Sequence, residues 1–119
     1  MKLASLAIAA VLVVAGSVAA AAANYFAYNL TAATSFSGVY LAPAGAGQSG
    51  TDQWGPNQAL NDDDKSLDFG ERLTLTGLTP GIYDVKLVDD AGRTCILHGV
   101  DLKTQTSFEI RDAGLTDCK

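Results

Sequence analysis

The sequence predicts an all-β domain, a small antiparallel sandwich of about six or seven short strands, behind an N-terminal signal peptide. Three observations carry that prediction. Residues 73–97 read as three consecutive strands joined by two tight turns. Leu73 and Leu75 alternate with Arg72, Thr74 and Thr76, and Tyr83, Val85 and Leu87 alternate with Asp84 and Lys86, one apolar face against one polar face. Turn residues recur about every ten positions along residues 24–119, and no stretch of comparable length has helical periodicity.

In chain order, Met1-Lys2 is followed by an apolar run from Leu3 to Val14, then Gly16-Ser17-Val18 and the alanines 19–23. One positive charge, a short apolar core and small residues at the exit are the parts of a secretory signal peptide. A membrane anchor is the competing reading, but the apolar core falls short of the roughly 20 residues that span a bilayer. Cleavage is expected near Ala23/Asn24, with residues 24–119 as a single domain. Residues 24–31, rich in aromatics with a rough period of two, make the first strand. The Asn29-Leu30-Thr31 sequon within it matters only in a eukaryotic host, and the alanine-rich leader has a bacterial character. Residues 36–42 make the second strand, with Val39 and Leu41 on one face and Tyr40 on the other, ended by Pro43.

Residues 44–65 form the longest irregular stretch, with one helical turn expected over 56–60. A loop this long in a small domain is functional, ordered by its own side chains, or disordered. Within the 73–97 unit, Leu78-Thr79-Pro80-Gly81 fits a β-turn, and Asp89-Asp90-Ala91-Gly92 a short hairpin loop with Gly92 left-handed. A last strand spans 106–111, with Phe108 and Ile110 on one face. The expected core is Phe26, Leu30, Val39, Leu41, Leu73, Leu75, Tyr83, Val85, Leu87, Phe108 and Ile110, with Leu97 joining it.

The chain carries a net charge of −5, or −6 once the leader and its Lys2 are removed. That acidity argues against nucleic acid and anionic membranes as partners and suits cations or basic partners. No second apolar run of spanning length follows the leader, so no membrane span is expected after cleavage, and the location is periplasmic or secreted. The two cysteines, Cys95 and Cys118, read as a disulfide in an exported protein. A redox pair is the alternative, without a Cys-x-x-Cys to support it.

The chemistry-bearing residues are few. Asp52, Asp62, Asp63 and Asp64 sit on the long loop with Trp54, Asn57 and Asn61. Oxygen-rich loops hold Ca2+, but the spacing lacks the glycine and closing glutamate of an EF-hand. The simpler reading is a solvated acidic turn, with no cofactor. Trp54, the one tryptophan, either packs across the domain and pins the loop or, with Asn57, offers a binding surface for a small ligand or protein. His98, the one histidine, sits at a strand end with no recognised triad motif, and Asp84 and Lys86 are expected in ordinary cross-strand pairs. The function these residues predict is a non-catalytic interaction or binding module. A calcium- or small-ligand-binding domain is the alternative. A small hydrolase stands last and requires an acidic residue beside His98 in a cleft.

Two resemblances bear on this. LTGLTPGIYDVKLVD resembles the turn and strand of fibronectin type III and related immunoglobulin-like or prealbumin-like modules. That resemblance implies an immunoglobulin-like sandwich and gives Tyr83 the role of a tyrosine corner, its hydroxyl bonded to backbone a few residues upstream. The order Val39-Tyr40-Leu41-Ala42-Pro43, Trp54-Gly55-Pro56-Asn57, Tyr83-Asp84-Val85-Lys86 and Val100-Asp101-Leu102 is similar to a group of small exported bacterial proteins of unknown function, with the pattern YLSPSG…WG…YDI…VDL. Those proteins tend to carry a cysteine just before the Tyr-Asp strand, where this chain has Gly81-Ile82, so their cysteine pairing does not transfer.

Overall fold

The computed structural model describes residues 24–45 and 53–119; the leader reading of 1–23 and the candidate ligand Asp52 lie outside the described residues. The strands are β1 (Tyr25–Asn29), β2 (Phe36–Pro43), β3 (Arg72–Leu75), β4 (Ile82–Asp89), β5 (Thr94–Asp101) and β6 (Ser107–Ile110), with single turns of 3-10 helix at Gln58–Asn61 and Asp112–Gly114. The fold is all-β, in two three-stranded sheets ordered β3-β1-β6 and β2-β4-β5. Alternation does what the sequence demands in the central unit: Leu73, Leu75, Tyr83, Val85 and Leu87 are buried and join one apolar cluster with Val39, Leu41, Phe108 and Ile110. Both sheets contribute to that cluster. The Tyr83 hydroxyl donates to the Thr79 carbonyl at 2.6 Å, closing the Pro80-Gly81 turn.

Four expectations are corrected. One ladder is not antiparallel, because β1 and β6 run parallel. Four strands separate them in sequence, which supplies the long crossover that a parallel pair needs. The inward face of β1 is also the opposite of the one read: Tyr25, Ala27 and Asn29 are buried, Phe26 is half-buried and Leu30 is 40% exposed. Phe26 lies outside under the Arg72 guanidinium, 4.7 Å from the ring centroid. Asn29 goes inside because its amide satisfies backbone there, donating to the carbonyls of Leu67 (3.0 Å) and Thr34 (2.7 Å) and accepting from the Thr31 N–H and hydroxyl. That burial removes the sequon asparagine from solvent. Finally, Leu97 is only partly buried against the cluster, while Phe36, Leu67 and Leu102 complete it from positions left out of the expected core.

Within the described part of the long loop, residues 53–65, side-chain amides supply the order. Asn57 accepts from the N–H groups of Val39 and Ala59 and donates to the Ser37 carbonyl, while the Gly55 N–H reaches the Leu41 carbonyl. These bonds engage the Ser37 carbonyl, the Val39 N–H and the Leu41 carbonyl on the edge of β2 away from β4. One residue on, the buried Gln58 side chain pairs with both backbone groups of Thr76 at 3.0 Å, and Asn61 donates to the Thr74 carbonyl. The 3-10 turn thus stitches the edge of one sheet to the edge of the other, and covered edges do not recruit foreign strands.

Candidate functional site

Cys95 and Cys118 are joined, sulfur to sulfur at 2.08 Å. The link lays the C-terminal tail along β5, where Thr94 and Ile96 exchange paired backbone hydrogen bonds with Lys119 and Thr116. Between those two pairs, Asp117 and Cys118 oppose Cys95 alone, the two-against-one count of a β-bulge. Asp117 takes the left-handed conformation, φ 53°, which re-aims its carboxylate.

A second bulge lies one step along the same sheet. The β4–β5 register jumps from Tyr83↔Val100 to Val85↔Leu97, so His98 and Gly99 oppose Asp84 alone. Gly99 supplies the left-handed φ of 69° that this bulge requires. The Asp84 carboxylate fills the opened ladder, accepting from the Gly99 N–H at 3.1 Å and the Gly45 N–H at 2.9 Å. The two bulges converge on His98, whose Nδ1 is 3.4 Å from Asp84 Oδ1 and whose Nε2 is 3.1 Å from Asp117 Oδ2.

Asp84 is therefore not the exposed cross-strand residue that alternation predicts; its side chain is 3% exposed. Burial is the largest influence on its pKa and pushes it up. The N–H groups of Gly45 and Gly99, with His98, outweigh that burial and hold the carboxyl below its ordinary value. His98 is raised above its ordinary value, first by its hydrogen bond to Asp117 and then by the charge of Asp84, against opposing desolvation.

These groups line an open cleft of about 330 Å3 on the outer face of the β2-β4-β5 sheet, with Trp54, Lys86, Thr94, Ile96 and Lys119. Trp54 is half-buried at its rim, held there by the Gly55 anchor on β2. A Cβ at position 55 would stand 3.1 Å from the Leu41 carbonyl oxygen, so glycine permits that close approach. Lys86 lies between aromatic faces, its Nζ 4.7 Å from the Tyr40 centroid and 5.5 Å from that of Trp54. Asn57, expected beside Trp54 at a binding surface, is committed to β2 and the 3-10 turn instead.

Of the acidic loop residues, the structure brings Asp62 and Asp64 together with Glu71, one oxygen of each within 4.8 Å of the others; Asp63 stands outside this group. The hydrogen bond between Asp62 and Asp64 raises the first and lowers the second from the ordinary carboxylate value. Glu71 also accepts from the Asp68 N–H, so part of its oxygen capacity serves the turn. Asp62 is half-buried and Asp64 is exposed.

The acidic neighbours required by a hydrolase reading do stand beside His98. Asp84 stands at Nδ1 and Asp117 at Nε2, and both raise the pKa of the imidazole. Both cysteines are tied in the disulfide, so neither offers a thiol. Sequence reasoning missed the cleft because its walls come from two bulges and a tail, and Gly99 was the one local sign. Among the described residues no helix is long and apolar enough to cross a membrane. Comparison with family models, curated proteins and solved structures finds no match to this chain.

Proposed function

We propose that the protein is an exported, immunoglobulin-like β-sandwich that acts as a non-catalytic binding module, with the cleft beside Trp54 as its binding surface. The carrying observation is the convergence of the single tryptophan, an apolar residue, Ile96, and the charged groups Lys86 and His98 on one opening of about 330 Å3. Small-molecule sites have this size and this mixture of aromatic lining with a few placed polar groups. Two sheets feeding one buried cluster support the sandwich. The leader pattern and the Cys95–Cys118 link support export to an oxidising compartment.

The test is a fragment screen on the 15N-labelled protein, read by amide and indole chemical shifts. The expected outcome is that hits perturb Trp54, Lys86, Ile96 and His98 together and lose that pattern in Trp54→Ala. Hits that cluster elsewhere, or none on this face, overturn the proposal.

A further inference from the structure

We infer that the cleft takes an organic anion, a carboxylate carried on a flat apolar body, with Lys86 as the residue that receives it. The inference deepens the binding-module reading and rests on it. Lys86 is half-buried on β4, and among the described residues its ammonium takes part in no ion pair. Its ammonium lies over the rings of both Tyr40 and Trp54. Ring faces favour the charge but offer no lone pair in the manner of an oxygen, so an ammonium with three N–H donors is positioned and still wants an acceptor.

The carboxylates nearby are engaged elsewhere. Asp84 receives two backbone N–H groups and His98, and Asp117 faces the other side of the same imidazole. The basic side chains lining the cleft are Lys86, His98 and Lys119, and its acidic side chains are Asp84 and Asp117, both directed at His98. A cationic ligand finds its natural seat taken, because Lys86 already occupies the ring faces that would bind it. Ile96 and the indole supply apolar surface for the body of the ligand, beside the point where its charge is met. Asp84 on β4 and Asp117 on the tail face His98, with Lys86 of β4 and Lys119 of the tail in the same cleft, and the imidazole stays charged to higher pH than an isolated one. It therefore adds to the attraction until it deprotonates.

Benzoate tests this, with benzyl alcohol as the neutral isostere and benzylamine as the cation, titrated into the full-length, disulfide-linked protein at pH 6. Trp54 is the only tryptophan, so its indole N–H signal reports on the cleft alone. Benzoate is expected to shift that signal saturably and to bind more tightly than either control. Loss of one charge-assisted contact in Lys86→Met should weaken it by about tenfold or more, with Lys86→Arg retaining binding. Benzoate affinity should fall as pH rises through the His98 titration, and this dependence should vanish in His98→Gln. Equal binding of benzoate and benzyl alcohol to the unsubstituted protein overturns the anion inference while leaving the binding cleft standing. Preference for benzylamine does the same. No shift of Trp54 by any of the three probes overturns the anion inference and counts against the cleft as well.

Discussion

Breaking the Cys95–Cys118 link is the perturbation whose cost follows most directly from the structure. The two residues are separated by 23 positions. In the chain-entropy model, closing a loop of that length stabilises the folded state by about 3 kcal/mol, mainly by restricting the unfolded chain. The full amount is expected only if the tail leaves β5 at global unfolding and not before. Four backbone hydrogen bonds, from 2.7 to 2.9 Å, hold Thr116 and Lys119 to Ile96 and Thr94, which favours that condition. Urea melts of the native protein and of the Cys95→Ala/Cys118→Ala variant should therefore differ by about 3 kcal/mol, which in a domain of this size lowers Tm by about 12–24 °C. Amide exchange at Thr94 and Ile96 gives the local readout, since both N–H groups donate to the tail. A loss below about 1 kcal/mol at unchanged m-value, with these two amides already exchanging fast in the native protein, would refute the reasoning. It would mean that the tail opens on its own and that the link does not bear on global unfolding.

Gln58→Leu should cost about 1–2 kcal/mol in a urea melt, because it removes the two part-buried hydrogen bonds that tie the 3-10 turn to the backbone of Thr76. The facing of β1 and its neighbours is checked by a pair of variants. Phe36→Ala should lose about 3–5 kcal/mol, whereas Leu30→Ala, at 40% exposure, should stay within about 1 kcal/mol. Stability should pass through a maximum with pH. Asp84, held below its ordinary pKa, contributes stability above the carboxylate range and loses it as pH falls through its folded value. His98, held above its own, contributes fully below the unfolded histidine value and loses that contribution as pH rises through the folded one. Asp117→Asn should flatten the alkaline side, as followed by melts across pH. Millimolar calcium against EDTA should leave Tm unchanged within about 1 °C; a shift near 10 °C, the scale expected for saturating a specific site, would make the Asp62, Asp64 and Glu71 cluster a metal site after all.

Much of the strand framework was legible because a period of two is a local property of extended backbone. Leu73, Leu75, Tyr83, Val85 and Leu87 needed no knowledge of their neighbours to be placed on one face. The same rule failed at β1, where Phe26 and Leu30 outrank Tyr25, Ala27 and Asn29 in hydrophobicity. The decision there was made by the hydrogen bond from Asn29 to Leu67, a partner 38 positions away. Asn57 and Gln58 read as loop polarity for the same reason: their acceptors and donors, on β2 and beyond the end of β3, are not neighbours in sequence. The cleft depended on register more than on residue type. Asp84 follows the polar phase of β4, and only the bulge at His98-Gly99 turns it into a buried carboxylate.

The sequence by itself determined that residues 72–101 form short strands with turns at Pro80-Gly81 and Asp89–Gly92, and it pointed to its two cysteines as partners of each other. Those outcomes follow from backbone geometry, turn chemistry and arithmetic, none of which needs a third dimension. Only the tertiary structure decided which face of β1 is covered, how the amides of one loop close two sheet edges, and that Asp84, Lys86, His98, Asp117 and Trp54 meet in one cleft. A buried polar group is stable only where its hydrogen-bond partners have been delivered, and delivery is a property of the assembled sheets.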